Sequence, residues 1–257
     1  MSEWPYRLDR TISIQASREI VFRYFTDNAR WSAWWGAGST IDARPGGQVY
    51  IRHPNGVETV GEVIEVRAPE RIAFTYGFPS GTPMPPGSSR VTIRLEADGA
   101  ATKLHLAHEF GEEAPRDEHV QGWRYQLSVF ANIVADQVNS GAAGLVDDWF
   151  GAWSETDARR REDTFARIAL PGVRFRDRFS HLDGLEDLVA HTGAAQRFMP
   201  GISMVRQGDV RHCQGTVLAE WIWRTANGDE RARGTNVFVL GADGRIESVT
   251  GLSEIKN

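Results

Sequence analysis

Hydrophobic and polar residues alternate over several short stretches in the first half of the chain. A period of two is typical of a half-buried β-strand, and it predicts strands at Leu8–Gln15, Gln48–Arg52, Glu58–Val66, Arg71–Phe78, Ser89–Glu96 and Thr102–Phe110. Apolar residues at helical spacing predict a short helix after Ser17, a second one around Trp31 and a long one from Arg116 to about Val138. The pattern therefore indicates an α+β unit that ends in its longest helix.

The second half begins with its helices. Helical spacing occurs at about Leu145–Thr156, Asp157–Ala169 and Leu185–Phe198, with one strand, Val173–Asp177, before the third helix. Four long strand-like stretches follow, at Ser203–Cys213, Thr216–Thr225, Glu230–Leu240 and Arg245–Ser253. We therefore predict two domains, at residues 1–139 and 145–257, joined by a linker at 140–144, each an antiparallel sheet with helices on one face.

Tryptophans cluster in both halves, at Trp31-Ser32-Ala33-Trp34-Trp35 and at Trp149-Phe150-Gly151-Ala152-Trp153. Because tryptophan is costly to expose and bulky to bury, such clusters indicate either a core or the wall of a large cavity. We expect a ligand cavity in each domain. The residues expected to line the first are Trp31, Trp35, Tyr76, His108, Trp123 and Gln126, and those expected to line the second include Trp149, Trp153 and Trp221.

Charge and composition narrow the class of protein. The net charge of −5 argues against a nucleic-acid surface, and no apolar stretch approaches a membrane span. The single cysteine, Cys213, excludes an intrachain disulfide and is expected to be an inert buried thiol. With no secretion signal at the N-terminus, we expect a cytoplasmic protein. His53, His105, His108 and His119 lack metal-ligand spacing, so we expect neither a metal nor a cofactor.

The first half resembles the START-like superfamily, often abbreviated SRPBCC. Within it, the first half resembles the group named after the C-terminal domain of the activator of heat-shock-protein-90 ATPase. The resemblance implies a helix-grip fold, in which a curved sheet wraps around the long last helix and leaves a cavity. The residues that carry it are Arg10-Thr11-Ile12, Trp34-Trp35-Gly36, Pro45-Gly46-Gly47, Pro69-Glu70-Arg71-Ile72, Ser89-Arg90-Val91-Thr92-Ile93 and Gly122-Trp123.

The second half is similar to the SnoaL-like group of the nuclear-transport-factor-2 superfamily. This resemblance implies a cone-shaped α+β barrel with a pocket and, in many members, a homodimer built on the outer face of the sheet. The matching residues are Trp149 and Trp153, Val173-Arg174-Phe175-Arg176-Asp177, Gly184, Phe198-Met199-Pro200-Gly201, Gly234-Thr235-Asn236-Val237-Phe238 and Asp243-Gly244-Arg245-Ile246.

The second resemblance also suggests chemistry at Asp177. In the steroid isomerases of this superfamily, the corresponding strand end carries the general-base aspartate, and two acidic donors stabilise an oxyanion. Here Trp149 and Asn236 take the positions of those donors, and neither is acidic, so an isomerase of that type is not expected. His181 and His191 are candidates to assist Asp177. An ion pair of Asp177 with Arg174, Arg176 or Arg178 is the stronger expectation.

The function therefore has three candidate classes. The first is binding of small hydrophobic or aromatic molecules in both cavities. His108 is expected to be hydrogen-bonded by a neighbouring carboxylate, Glu109 or Glu112, rather than to act on a ligand. The second is a polyketide cyclase-like, isomerase-like or dehydratase-like enzyme without cofactor that uses Asp177 as base. The third is a chaperone ATPase activator, which is not expected, because such activators have an additional N-terminal domain and only seven residues precede Leu8.

Overall fold

The fold was obtained as a computed structural model that describes residues 4–254. Its helices are α1 (Arg18–Arg23), α2 (Asn28–Trp35), α3 (Glu113–Val138), α4 (Ala142–Ser154), α5 (Ala158–Ile168) and α6 (Leu185–Phe198). Its strands are β1 (Tyr6–Ile14), β2 (Thr40–Ile41), β3 (Gln48–Arg52), β4 (Glu58–Arg67), β5 (Arg71–Tyr76), β6 (Ser89–Asp98), β7 (Ala101–Phe110), β8 (Ala169–Arg176), β9 (His181–Asp183), β10 (Ser203–Cys213), β11 (Thr216–Arg224), β12 (Glu230–Leu240) and β13 (Ile246–Glu254).

The chain divides into two compact units, Met1–Ala135 and Asp136–Asn257. Each unit has its own sheet and its own helices, so the predicted α+β class is confirmed. The predicted linker at 140–144 overlaps α4, which begins at Ala142, and it stays a prediction as a domain boundary.

The first unit is a seven-stranded antiparallel sheet in the order β1-β7-β6-β5-β4-β3-β2. Ser17 caps α1 by accepting a hydrogen bond from the amide of Ile20, as the sequence predicts. The predicted apolar stripe of α3 is buried, and its Phe130 ring packs against the rings of Phe25 and Trp34. These contacts join α3 to α2 through a dense aromatic core.

The second unit is a six-stranded sheet in the order β10-β11-β12-β13-β8-β9. The prediction of a purely antiparallel sheet is wrong here, because β8 lies parallel to β13. The chain between these two strands includes α6 and four other strands, which is long enough to return it in the same direction. The core of this unit includes Trp149, Phe165 and Phe238, all fully buried.

Short elements were missed at the sequence level. Strand β2 has two residues and β9 has three, too few to show a period of two. Cys213 ends β10 and is exposed, which corrects the expectation of a buried thiol. Among the helices of residues 4–254, none combines the length and the apolar character needed to cross a bilayer.

Candidate functional site

The first unit contains a cavity of about 590 Å³ between α2, α3, the end of β5 and the loops at residues 53–57 and 78–83. Four of the predicted residues line it: Trp35, Tyr76, Trp123 and Gln126. Gln126 is held in place, because its Nε2 donates to the carbonyl oxygen of Trp34. The full lining consists of Trp35, His53, Pro54, Asn55, Val57, Tyr76, Phe78, Pro83, Glu118, His119, Gly122, Trp123, Tyr125 and Gln126.

Trp31 lies behind the cavity wall rather than in it. Its side chain is fully buried, and its ring centroid lies 5.7 Å from that of Trp35 and 5.8 Å from that of Phe74. Its Nε1 donates to the carbonyl oxygen of Tyr50 at 3.4 Å. The structure therefore places Trp31 in the core, where it supports Trp35.

His108 is also outside the cavity wall, at the centre of a buried hydrogen-bond chain. Trp123 Nε1 donates to His108 Nδ1 at 3.0 Å, and His108 Nε2 lies 2.9 Å from Ser89 Oγ. Since an indole only donates, Nδ1 carries no proton, and Nε2 donates to Ser89. Ser89 Oγ in turn donates to the carbonyl oxygen of Tyr76 at 2.7 Å.

Both ring nitrogens of His108 are therefore occupied. Burial, together with the charge of nearby His119, holds the pKa of His108 well below its ordinary value. His108 is a neutral structural residue, and the expected partner carboxylates are replaced by Ser89 and Trp123.

His53 and His119, which lack metal-ligand spacing in the sequence, do line the first cavity. Burial lowers the pKa of His53, and the charge of His119 lowers it further. Burial also lowers the pKa of His119, whose Nδ1 donates to the carbonyl oxygen of Pro115 at 2.7 Å. His119, Trp123 and Gln126 recur at helical spacing, and that pattern predicts His119 on the same face of α3.

The first cavity offers neutral polar groups inside an aromatic wall. Burial raises the pKa of Tyr76 to about 12, so its hydroxyl stays protonated at physiological pH. With His53 and His119 neutral as well, the only carboxylate of the lining is that of exposed Glu118.

The second unit contains a larger cavity, of about 880 Å³. Its wall includes five of the predicted residues: Trp153, Asp177, His191, Trp221 and Asn236. The full lining consists of Trp153, Phe175, Asp177, Phe179, Ser180, His191, Ala194, Ala195, Phe198, Met199, Met204, Trp221, Trp223, Arg231, Ala232, Asn236, Gly251 and Ser253.

Two predicted residues lie outside this wall. Trp149 is fully buried between Phe165, Phe175 and Phe238, and its Nε1 has no hydrogen-bond partner among the described residues. His181 points to solvent with 76% of its side chain exposed, and its Nε2 lies 3.6 Å from a carboxylate oxygen of Asp183. Neither residue is placed to act on a molecule in the cavity.

Asp177 follows the last residue of β8 and starts a tight turn. Its amide donates to the carbonyl oxygen of Ser180 at 3.1 Å, and its Oδ1 accepts from the amide of Phe179 at 2.8 Å. Within residues 4–254 it forms no ion pair, because Arg174 pairs with Glu247 and Arg176 with Asp183. The expected arginine–Asp177 ion pair is therefore wrong, and the carboxylate stays in the cavity wall.

Asn236 is a buried donor on the same wall. Trp221 Nε1 donates to its Oδ1 at 2.9 Å, and this bond fixes the orientation of the amide because an indole only donates. Asn236 is only 3% exposed, and over residues 4–254 its Nδ2 has no hydrogen-bond partner. The Cβ position that a side chain on Gly251 would take lies 3.2 Å from both Asn236 Oδ1 and Asp177 Cβ. Glycine at this position therefore leaves room for the side chains of Asn236 and Asp177 to lie on either side of it.

Ser180 is a further polar wall residue that sequence reasoning missed. Its Oγ lies 3.1 Å from Nε2 of His191, and the His191 ring packs edge-on against Trp153. No local sequence signal indicates this pair, since a turn after β8 and the middle of α6 supply the two side chains.

Metal ligation has no support in the described part of the chain. There, no group of three or more histidine, cysteine, aspartate or glutamate side chains has an arrangement that would hold a metal ion.

Comparison with known proteins matches the first unit to a family. The model of the activator of Hsp90 ATPase homolog 1-like family matches residues 15–135. A search among curated proteins gives no match.

Similar solved structures include three that each cover about half of the chain. A SnoaL-like family protein of Agrobacterium tumefaciens is 26% identical over 44% of this chain and 96% of its own, with a TM-score of 0.43. CalU16 from Micromonospora echinospora is 24% identical over 49% of this chain and 75% of its own, with a TM-score of 0.42. The Aha1 dimer of Colwellia psychrerythraea is 17% identical over 48% of this chain and 90% of its own, also with a TM-score of 0.42.

Each unit therefore has its own resemblance, which for the first unit rests on the family match and for the second on its sequence motifs. The first unit resembles the activator of Hsp90 ATPase homolog 1-like family, with residues 15–135 matched, and the second unit resembles the SnoaL-like group.

Proposed function

We propose that this protein binds small hydrophobic or aromatic molecules in its two cavities. The observation that carries this proposal is the second cavity, whose volume of about 880 Å³ lies within the range of small-molecule sites. Its wall is mostly aromatic and aliphatic, and its polar groups are few and positioned, which is the usual composition of such sites.

The apolar wall supplies a sufficient driving force. Burying about 300 Å² of apolar surface contributes on the order of 7 kcal/mol before the costs of association are subtracted. Polar groups such as Asn236 in the second cavity and Tyr76 in the first then orient the bound molecule.

Native mass spectrometry of the protein purified from its own host tests this proposal directly. We expect a small molecule to be retained by the folded chain and released on denaturation. A chain that carries no small molecule and binds no aromatic probe in solution would contradict the proposal.

A second candidate function is a cyclase-like or isomerase-like reaction without cofactor in the second cavity. The observation that favours it is that Asp177, whose carboxylate forms no ion pair, and Asn236, which has a free amide donor, lie on either side of Gly251.

In this reaction the Asp177 carboxylate removes a proton from the carbon next to a carbonyl group. Asn236 Nδ2 donates to the carbonyl oxygen, where negative charge develops. Protonated Asp177 then returns the proton to another carbon of the same molecule, so the atoms balance.

Substitution of Asp177 tests this second candidate. With an enone or polyketide-like substrate, we expect Asp177→Asn to lower kcat by a factor of about 10² to 10⁴, as loss of a general base does. His181→Asn is the matched control, because His181 lies four residues further on and outside the cavity wall. Unchanged turnover in Asp177→Asn would remove Asp177 from this role.

Two further predictions remain open to experiment. Activation of a chaperone ATPase is suggested only by the name of the family that matches the first unit, and the rate of chaperone ATP hydrolysis with added protein tests it. A homodimer through the second unit is supported by exposed Val205, Val239 and Leu252, which lie on its strands. Light scattering of the purified protein tests that assembly.

A further inference from the structure

Arg231 reaches the second cavity through an irregularity of the sheet. On β12, Ala232 is opposite Trp223 and Glu230 is opposite Arg224, so Arg231 is an extra residue in a β-bulge. Neighbouring residues of a regular strand point to opposite faces, yet both Arg231 and Ala232 line the cavity. The bulge therefore turns the Arg231 side chain toward the cavity.

The guanidinium of Arg231 has no acidic partner in the part of the chain that the structure describes. Arg233, two residues further on, pairs with Glu230 at 2.6 Å, whereas Arg231 forms neither an ion pair nor a hydrogen bond within residues 4–254. Arginine at a binding site commonly recognises a carboxylate or another planar anion with two parallel hydrogen bonds.

Arg231 lies at the mouth of the cavity. It is exposed, whereas Asn236 on the same strand is 3% exposed. Phe179 and Phe198, which are 74% and 84% exposed, are also part of the lining. An anion held at the mouth keeps much of its hydration, so its binding costs less desolvation than it would further inside.

The acidic and basic side chains of the second cavity lie at different positions relative to β12. Asp177 and Arg231 are the carboxylate and the guanidinium of the lining, and His191 is its imidazole. Asp177 lies close to Asn236, which is five residues from Arg231 along β12, or roughly 16 Å in an extended strand. A long molecule can therefore place an anionic group at Arg231 without approaching the carboxylate of Asp177.

We propose that the second cavity selects aromatic acids, with Arg231 binding the acidic group at the mouth and Asn236 donating to a carbonyl or hydroxyl oxygen at the buried end. This proposal rests on the proposed function, since it specifies the chemical class of the molecule that the same cavity binds.

Two probes with one ring skeleton separate charge recognition from hydrophobic binding. They are 8-anilinonaphthalene-1-sulfonate, which is anionic, and N-phenyl-1-naphthylamine, which is neutral. Both are titrated into the full chain carrying Gly122→Phe, because Gly122 lines the first cavity with open space around its Cβ position and a phenyl ring there blocks that cavity. The variants compared are Arg231→Gln, Arg231→Lys and, as a matched control on the same strand, Arg233→Gln.

We expect Arg231→Gln to raise the Kd of the sulfonate about three- to fivefold, the upper part of what one exposed charge pair contributes. The same substitution leaves the Kd of the neutral probe within about twofold, and Arg233→Gln leaves both constants within about twofold. Arg231→Lys retains part of the sulfonate affinity, because lysine keeps the charge but not the paired donors. Added salt reduces the difference between the probes because it screens the charges.

The outcomes distinguish this proposal from the one on which it rests. If the neutral probe binds and Ala195→Trp, which fills the second cavity, weakens it, the proposed function stands. An unchanged sulfonate Kd in Arg231→Gln then overturns the role of Arg231 alone. If neither probe binds, or if Ala195→Trp has no effect on either, both proposals are wrong.

Discussion

At the scale of single residues, one set of four buried polar groups in the first unit is mutually hydrogen-bonded. Trp123, His108, Ser89 and the carbonyl oxygen of Tyr76 form one chain in which each donor has an acceptor. Such a chain is stabilising while complete, and removing one member leaves another buried group without a partner.

Ser89→Ala tests this chain. It leaves Nε2 of His108 and the carbonyl oxygen of Tyr76 without their partner, so we expect the free energy of unfolding to fall by about 1–3 kcal/mol. Ser128→Ala is the matched control, because Ser128 Oγ also donates to a backbone carbonyl but is exposed on α3. A urea titration that gave equal losses for the two variants would contradict the account.

The neutral histidines predict a loss of stability in acid. Burial lowers the pKa values of His53, His108 and His119 below the ordinary value of about 6.5, so between those values the unfolded chain binds more protons. Their contribution is therefore complete above about pH 6.5 and is lost as the pH falls below it. For His108 the loss is up to about 1.4 kcal/mol per pH unit.

Unfolding by urea at pH 7.5 and at pH 5.5 measures this loss. We expect His108→Gln to reduce the difference between the two pH values, whereas His181→Asn, at a solvent-exposed side chain, leaves it unchanged. An equal difference in the wild type and in His108→Gln would show that His108 does not stay neutral.

It was easier to predict which residues lie near the cavities than to predict which of them reach the cavity walls. The sequence identifies Trp35, Trp123, Asp177 and Asn236, which do line the cavities. It also identifies Trp31, Trp149 and His108, which lie behind the walls. A tryptophan cluster predicts burial in either case, and only the packing of the helix on the sheet decides which ring reaches the cavity.

At the scale of elements, two glycines differ in the space available for a Cβ atom. A Cβ on Gly61 in β4 would overlap the carbonyl oxygen of Thr75, whereas a Cβ on Gly151 in α4 has open space around it. The same substitution therefore has opposite expected effects at the two positions.

Gly61→Ala and Gly151→Ala form a matched pair. We expect Gly61→Ala to destabilise its unit by about 1–3 kcal/mol through overpacking, and Gly151→Ala to stabilise its helix by about 0.5–1 kcal/mol. Thermal unfolding of the two variants measures both effects. A stabilised Gly61→Ala would mean that β4 and β5 are not packed as described.

Regular helices and strands could be predicted from the local sequence pattern, whereas irregular strand pairings could not. The strand Gln48–Arg52 and the helix Leu185–Phe198 have the predicted bounds, because their periodicity and turn residues lie within one segment. The parallel pairing of β8 with β13 and the bulge at Arg231 depend on how distant segments pair. Local periodicity carries no information on such pairing.

At the scale of the whole molecule, the proposed function requires two cavities that accept small molecules independently. The first is lined by α2, α3, Tyr76 of β5 and two loops, and the second by α4, α6 and the strands of its own sheet. The presence of two cavities was predicted from the tryptophan clusters, whereas their volumes and open polar groups required the fold.

Counting the binding sites for N-phenyl-1-naphthylamine tests this claim most directly. Fluorescence titration at a protein concentration above Kd gives the number of probe molecules per chain. We predict two for the wild type, one for Gly122→Phe, one for Ala195→Trp and none for the double variant. A double variant that binds as many probe molecules as the wild type would contradict the account.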